Sequence, residues 1–242
     1  MTRFVPSLLT ACLLMTIGCA GPAMVSRSRP DAYFKGIALE EEASGRDSLF
    51  SSDSAVLADE DVKQILAFRF KPQSMNRIAI LPIGQIYWHG WSDELDKAGQ
   101  AVQTALIGKL RKAPSVFDAA YLPTLLVPEK KTIGHLREAA ARFQSDLLLV
   151  YKASFRTYEK YTFFSPDKSK AYCNLEGIVL DTRTGIVPFT ILVTRTFIAE
   201  QQKADMNFQE TIRKAQLSAL ESALSEVGDE VVAFLNLAMR SQ

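Results

Sequence analysis

The chain has few of the residues that build metal and redox sites, with two histidines and three cysteines among 242 residues. No CxxC or HxxxH spacing occurs, so the sequence does not indicate a metal site. The Gly-x-Ser-x-Gly turn of serine hydrolases and a glycine-rich phosphate loop are missing as well. We therefore expect no catalytic residues, no bound metal and no cofactor, and we do not expect the protein to be an enzyme.

Charge of one sign is also lacking. Lysine and arginine number 28 against 27 aspartates and glutamates, and the formal net charge is +1. A near-neutral chain offers no electrostatic reason to bind nucleic acid, so no nucleic-acid partner is expected. The apolar run at the amino end, residues 4–17, is shorter than the roughly 20 residues that a membrane-spanning helix needs.

What the amino end does contain is a targeting pattern. Arg3 precedes the apolar run Phe4 to Ile17, and Gly18 and Cys19 follow it. A basic start, an apolar centre and a small residue are typical of a secretory signal. The cysteine after the small residue resembles the lipobox of bacterial lipoproteins, although Thr16 stands where leucine is usual. The resemblance implies cleavage before Cys19, a diacylglyceryl group on its sulfur and acylation, for example by palmitate, of the new amino terminus.

Acyl chains on Cys19 would anchor the mature protein to a membrane without spanning it. Two alternatives are open. Residues 9–12 also match the lipobox locally, but cleavage there would leave a very short apolar segment and expose residues 13–15. An ordinary cleaved signal or an uncleaved anchor would carry no lipid. We favour Cys19. Ala20 follows it in place of aspartate, which by resemblance to enterobacterial sorting implies the outer membrane, on its periplasmic side.

The remaining chain divides into a polar stretch and one domain. Removal of residues 1–18, the predicted signal peptide, leaves 242 − 18 = 224 residues. Residues 19–53 show no sustained apolar period and predict a flexible tether, and residues 54–242 predict a single α/β periplasmic domain. Docking of Tyr33, Phe34 and Ile37 on that domain is the open alternative to a free tether.

The cysteine count has a consequence for disulfides. If Cys19 is acylated and Cys12 is removed with the signal, Cys173 has no partner for an intramolecular disulfide. Its surroundings, residues 171–175, are typical of a strand. We therefore expect a buried thiol at this position rather than a catalytic nucleophile.

Apolar periodicity predicts the order β-α-β-α-β-β-β-α after a first short helix. We expect a mixed sheet with helices packed on one face, an α/β (α+β) fold, and a long carboxyl-terminal helix across it. Tyr151, Ala153 and Phe155 should share a face of their strand. Residues 181–185 predict a tight hairpin turn in which Gly185 supplies a positive φ. The predicted helices are about 58–68, 92–112, 133–143 and 206–238, and the predicted strands are 77–83, one within 116–127, 146–156, 172–180 and 186–198.

Three short motifs resemble a group of bacterial envelope proteins. The strand Ile78–Ile83 is similar to their "IAVLPF" strand, Ala140–Tyr151 matches a helix that ends before aspartate and an apolar residue, and Leu180–Gly185 matches a "vD..tG" hairpin. The group includes the curli secretion channel subunit, the amino-terminal domain of the Tol-system propeller protein, penicillin-binding-protein activators and rhombotarget-type lipoproteins. The resemblance extends from about residue 77 to the carboxyl end and implies a place in the cell envelope.

Aromatic residues cluster after the first predicted central strand. Tyr87, Trp88, His89 and Trp91 include both tryptophans of the chain. The carboxyl end of a strand in an α/β sheet commonly hosts ligands, and aromatic side chains are enriched at protein interfaces. We take these four residues as a candidate partner-binding site. The open alternative is that the rings cover the edge of the core.

A second aromatic patch is predicted in a hairpin loop. It comprises Tyr158, Tyr161, Phe163 and Phe164, for which core packing or an oligomer contact is favoured over a small ligand.

From the residues and the resemblance together we expect a membrane-anchored periplasmic lipoprotein. It would act as a protein-binding or assembly module of the cell envelope, attached to membrane lipid through Cys19, with an envelope protein partner or a homo-oligomer. A subunit of an oligomeric outer-membrane secretion pore is the alternative that the curli channel implies. An envelope hydrolase is a weaker alternative.

Overall fold

In the computed structural model of the chain, residues 36–37, 48–49, 57–84 and 92–240 are described. They form one mixed sheet and four α-helices, the longest of them at the carboxyl end, which confirms the predicted α+β class. The strands are β1 (Gly36–Ile37), β2 (Asn76–Ile83), β3 (Val116–Tyr121), β4 (Leu147–Lys160), β5 (Lys168–Asp181) and β6 (Phe189–Glu200). The helices are α1 (Asp59–Ala67), α2 (Asp93–Leu110), α3 (Ile133–Arg142) and α4 (Phe208–Arg240), and a 3₁₀ turn spans Thr124–Leu126.

The sheet combines a parallel and an antiparallel half. Its strand order is β3-β2-β4-β5-β6. The strand β2 pairs in parallel with β3 and β4, whereas β4, β5 and β6 follow one another as antiparallel hairpins. Along β4, pairing with β2 ends at Lys152, and β1 then pairs antiparallel with the same strand at Thr157 and Tyr158. The strand β1 therefore continues the edge that β2 leaves.

Helices cover both faces of the sheet, which corrects the expectation that they cover only one. The helices α2 and α4 pack with Ile78 and Ile80 of β2, whereas α3 packs on the opposite face with Ala79 and Leu81. The reason is the direction of the connections. The strands β3 and β4 lie on opposite sides of β2, so the β2–β3 and β3–β4 connections run in opposite directions across the sheet. Because such crossovers are right-handed, the two connecting helices must lie on opposite faces.

Burial on both faces explains the apolar runs in the sequence. The residues of β4 from Leu147 to Tyr151 are all buried and contribute alternately to the two cores. Past Tyr151, the side chains of Ala153 and Phe155 still pack in the core under α4, as the sequence predicts. The alternate residues, starting with Lys152, are on the same face as α3 but lie beyond the part of β4 that α3 covers. The change from a continuous to an alternating pattern thus marks where the second helical layer ends.

Two described stretches fall inside the predicted tether. Gly36 and Ile37 form β1 on the edge of β4. Leu49 is half-buried beside the core under α3, and its carbonyl accepts a hydrogen bond from the amide of Ile133 at 3.3 Å. Of the three residues in the docking alternative, Tyr33 and Phe34 lie outside the described residues, and only the strand pairing of Ile37 is described.

Candidate functional site

The predicted site residues lie outside the described part of the chain. These are Cys19 and the aromatic cluster at residues 87–91, whose positions stay predictions. The described residues that bracket the cluster are Gly84, which has a φ of +92° at the end of β2, and Ser92. The Ser92 hydroxyl accepts a hydrogen bond from the amide of Leu95 and caps α2, as the sequence predicts. The cluster thus belongs to the connection from the carboxyl end of β2 to the amino end of α2.

Two tyrosines lie beside this end of the sheet. The hydroxyl oxygens of Tyr121, at the end of β3, and Tyr151, on β4, are 3.5 Å apart. Burial raises the pKa of the Tyr151 phenol well above its ordinary value and also raises that of Tyr121. Both phenols are therefore protonated at neutral pH. Neither hydroxyl supplies a base or a charge.

A cavity of about 270 Å³ lies at the opposite end of the parallel strands. Its carboxylates are already engaged in holding the chain. One oxygen of Asp146 accepts the amide of Arg77 at 2.9 Å, and the other lies 2.6 Å from the Arg183 guanidinium. Asp181 accepts the Thr184 hydroxyl at 2.6 Å and the amide of Arg183 at 3.3 Å. The arrangement closes the β5–β6 turn, and we assign these groups a structural role.

Cys173 and His135, the two remaining candidates for catalytic chemistry, lie on different elements, β5 and α3. Cys173 is fully buried in β5, which confirms the predicted buried thiol, and burial raises its pKa to about 12. A thiol with such a pKa is a poor nucleophile. His135 is exposed on α3, where its Nδ1 lies 2.7 Å from the hydroxyl of the capping residue Thr132.

The described ranges contain neither a metal-binding cluster nor a membrane-spanning helix. Within residues 36–37, 48–49, 57–84 and 92–240, no group of three or more histidine, cysteine, aspartate or glutamate side chains is placed to hold a metal ion. None of the helices in these same ranges combines the length and apolar character that a crossing of the bilayer requires.

The end of the β4–β5 hairpin presents a group of strongly exposed apolar side chains. Phe163 and Phe164 are 95% and 98% exposed, and their rings contact each other edge to face. Tyr161 and Met206 are also exposed. We call these four residues the tip surface. Met206 belongs to the same end of the domain because its segment follows β6, and the amide of Gln201 there donates to the carbonyl of Asp167 at 2.8 Å.

The loop that carries the tip surface is held by polar contacts behind the rings. The amide of Thr162 donates to a carboxylate oxygen of Asp167 at 2.8 Å, and its hydroxyl donates to the carbonyl of Ser165 at 2.5 Å. The Tyr161 hydroxyl donates to the buried carboxylate of Glu159, and the Tyr161 ring contacts Phe208 of α4. Both phenylalanines therefore project from a loop of fixed shape.

The structure divides the second predicted patch. Tyr161, Phe163 and Phe164 are exposed, whereas Tyr158 is half-buried and packs edge to face against Tyr172 on the neighbouring strand. Met206 was missed by sequence reasoning. A single large apolar residue in the polar stretch between β6 and α4 was the signal that could have identified it.

The outer edge of the sheet is a second exposed surface. The strand β6 has 12 residues and ends the strand order on its side. Leu192 is 74% exposed, and Phe197 and Ile198 are also exposed. Long edge strands with apolar side chains are templates for pairing with another chain, and soluble proteins usually protect them. Sequence reasoning predicted this strand but missed that it forms an edge, because hairpin order alone does not tell which strand is last.

Comparisons with known proteins found similarity in structure only. No protein-family model matches the chain, and no curated protein matches it. Among solved structures, the PelC dodecamer from Paraburkholderia phytofirmans is 12% identical over 64% of this chain and 91% of that chain, with a TM-score of 0.33. Lipoprotein GNA1162 from Neisseria meningitidis is 13% identical over 65% and 99%, with a TM-score of 0.32. At such low identities and TM-scores, the roles of these proteins do not transfer to this chain.

Proposed function

We propose that this protein is a lipid-anchored component of the bacterial cell envelope whose domain acts, without catalysis, as a protein-binding or assembly module. The anchor is an acylated Cys19 in the outer membrane, on its periplasmic side. The partner is another envelope protein or a second copy of the chain. The observation that carries the binding role is the open edge of β6.

Support for the anchor comes from the sequence around Cys19. Arg3, the apolar residues 4–17 and the small residue Gly18 form a secretory signal, and the cysteine at its end is the residue that lipoprotein processing acylates. Several acyl chains on one residue exceed the two signals that stable membrane anchoring takes. A domain held in this way meets its partners within a thin layer of the envelope.

Support for the binding role comes from the chemistry of the edge. The strand β6 pairs with β5 along one side, and its other side carries the outward-facing amide and carbonyl groups of a sheet edge. An extended segment of a partner can add to such an edge through main-chain hydrogen bonds, while side-chain pockets provide specificity. The exposed Leu192 and Ile198 lie on the same face of β6, where they would contact alternate side chains of the added strand.

The anchor is tested by metabolic labelling with a palmitate analogue. The wild-type protein should incorporate the label and float with the membrane fraction. Cys19→Ala should lose the label and membrane retention, and Cys12→Ala serves as the matched control that should keep both. Label that persists in the Cys19→Ala protein would show that the lipid is attached at another residue, whereas an unlabelled wild-type protein would show that there is no such anchor.

The binding role is tested with a photo-crosslinking amino acid at Leu192 in intact cells. Leu125, which is 96% exposed in the 3₁₀ turn, is the matched control position. We expect a discrete crosslinked product from position 192 that is missing from position 125, and we expect Ile198→Lys, on the same exposed face of β6, to abolish it. Equal crosslinking at the two positions would contradict a specific edge interaction.

The product itself identifies the kind of partner. A product of twice the subunit mass would indicate self-assembly, and any other discrete mass would indicate an envelope protein. The role of the aromatic cluster is tested separately by Trp88→Ala with Trp91→Ala, which should change the partners recovered after crosslinking if these residues bind them.

A further inference from the structure

We propose that the tip surface rests in the membrane to which the chain is anchored, with Phe163 and Phe164 inserted at the boundary between lipid and water. This inference rests on the proposed anchor at Cys19. It assigns the hairpin a second, non-covalent contact with lipid and fixes which end of the domain faces the bilayer.

The position of β1 shows where the anchored segment enters the domain. Gly36 pairs with Tyr158 and Ile37 with Thr157, so β1 runs antiparallel to β4. The strand β4 runs toward the hairpin tip, and the amino end of β1 is therefore its end nearer the tip. The lipid-bearing end of the chain thus joins the folded domain on the side of the tip surface.

The length of the connection permits the contact. Gly36 follows Cys19 by 36 − 19 = 17 residues, which can span no more than about 60 Å. Phe163 follows Tyr158, the partner of Gly36, by five residues, a distance of at most about 17 Å. The connection is consequently long enough to leave the tip surface at the level of the membrane and short enough to keep the domain near it.

The residues of this end suit the lipid–water boundary. Aromatic rings are favoured there, and lysine side chains place their stems along apolar groups while their ammonium groups reach the phosphates. Lys160 precedes the tip loop and Lys203 lies in the segment of Met206, and both are exposed. Residues 156–170 carry four basic and two acidic side chains, and the neighbouring segment 200–210 carries one basic and three acidic side chains. The two segments together are neutral, so the apolar rings rather than net charge carry the proposed contact with lipid.

The size and shape of the tip surface favour lipid over a protein partner. A stable protein interface buries about 800 Å² on each side, whereas two phenylalanines bury about 150–250 Å² each. The rings project from a hairpin loop rather than lining a groove. Because the contacts of Thr162 with Asp167 and Ser165 already fix the loop, little conformational freedom is lost when a fluid surface covers the rings.

The test measures the depth of the tip in the full lipidated protein. Acylation occupies Cys19 and burial protects Cys173, so Phe163→Cys supplies the reactive thiol for an environment-sensitive dye. The labelled protein is reconstituted into vesicles of phosphatidylethanolamine and phosphatidylglycerol that contain doxyl-labelled phosphatidylcholine as a quencher. Flotation of the protein with the vesicles reports whether it is anchored, and quenching of the dye reports whether the tip surface lies in the membrane.

Leu125→Cys is the matched control because Leu125 is equally exposed and distant from the tip. Leu125 follows Tyr121, the last residue of β3, by four residues, and Tyr121 is level with Leu149 of β4 because both pair with Ile80. Lys160, next to the tip, lies 11 residues further along β4, which is a distance of about 36 Å. We expect doxyl lipid to quench the dye at position 163 about threefold more strongly than the dye at position 125. Phe164→Ser in the Phe163→Cys background should reduce that difference, since it removes the neighbouring inserted ring.

Each outcome decides the proposal. Flotation with equal quenching at the two positions would overturn the membrane contact and leave the anchor intact. A blue shift at position 163 without quenching would mean that protein covers the tip, which also overturns it. Loss of flotation would overturn the anchor and, with it, the inference. Selective quenching at position 163 in floating vesicles is the supporting result.

Discussion

The ammonium group of Lys214 lies 2.8 Å from a carboxylate oxygen of Asp205 at the start of α4. The same carboxylate accepts the Thr211 hydroxyl at 2.7 Å and the amide of Gln202 at 2.9 Å. Burial raises the pKa of Asp205, but the hydrogen bonds from Lys214, Gln202 and Thr211 outweigh it and hold the pKa below its ordinary value. The group joins the end of β6 to the long helix, beneath the tip surface.

Asp205→Asn should lower the free energy of unfolding at pH 7 by about 1–2 kcal/mol, because it removes a charged acceptor from these hydrogen bonds. The pKa of Asp205 is lowered in the folded state, so its stabilisation is fully present above the unfolded pKa of about 3.9 and is lost as the pH falls through the folded pKa. Urea unfolding followed by circular dichroism at several pH values should show the wild type and the variant converging in acid.

Glu94→Gln is the matched control for this prediction. Glu94 lies 3.4 Å from the same ammonium group, but its side chain is 72% exposed. An exposed ion pair contributes about 0–1 kcal/mol, so this variant should stay close to the wild type. Equal effects of the two variants would contradict a special role of the buried carboxylate.

Gly185→Ala should destabilise the fold by about 1–2 kcal/mol, since the residue has a φ of +77° and occupies the β5–β6 turn. A Cβ atom would also come within 2.7 Å of the Arg137 side chain, which donates hydrogen bonds to the carbonyls of Thr182 and Arg183. The midpoint of thermal unfolding is the measurement.

Gly108→Ala should change that midpoint in the opposite direction. Gly108 is exposed within α2, and a Cβ atom there meets nothing within 4 Å. Replacing a helical glycine by alanine stabilises by about 0.5–1 kcal/mol. If Gly185→Ala raises the midpoint as Gly108→Ala does, the assignment of strain to Gly185 is wrong.

Thr157→Val should cost about 1–3 kcal/mol of unfolding free energy, because the buried amide nitrogen of Gln216 would lose the hydroxyl to which it donates at 3.0 Å. This bond joins α4 to the part of β4 that pairs with β1. Adding Gln216→Leu removes the orphaned donor, and the double variant should recover part of the loss. A double-mutant cycle from urea titrations measures the coupling, and additivity within about 0.5 kcal/mol would contradict it.

Cys173 should resist thiol reagents while the protein is folded. Burial raises its pKa to about 12, which keeps the sulfur protonated as well as inaccessible. We expect Ellman's reagent at pH 8 to react on the timescale of unfolding and rapidly in denaturant. Ser165→Cys on the exposed loop supplies the comparison and should react at once. Rapid reaction of the wild type under native conditions would show that β5 opens locally.

Much of the fold can be predicted from the spacing of apolar residues. Leu95, Val102, Leu106 and Leu110 recur at helical spacing and are all buried in α2, and the continuous run at Leu147–Tyr151 is a central strand. These predictions succeed because a helix or strand that is buried on one face has apolar residues at a regular spacing within its own segment. The expectation of one covered face is wrong, since the face on which a helix packs depends on the order of strands in the sheet.

The candidate surfaces were only partly predictable for the same reason. The sequence predicts a hairpin loop at residues 165–170, because a proline and charged residues interrupt the strands there, but it leaves open whether the aromatic residues before the loop are exposed or packed in the core. It does not predict that Met206 joins them or that Leu192 lies on an edge, because both depend on contacts between segments far apart in the chain.

The sequence by itself determines the secretory pattern that ends at Cys19, the near-neutral charge, the class of fold and the identity of most buried residues. Each of these is a property of composition or of a local period. The tertiary structure alone decides that Gly36 pairs with Tyr158, so that the amino-terminal segment enters on the side of the hairpin tip. Strand pairing between residues more than a hundred positions apart is set by the packing of the whole sheet. Neither segment's own sequence therefore predicts which strand it pairs with.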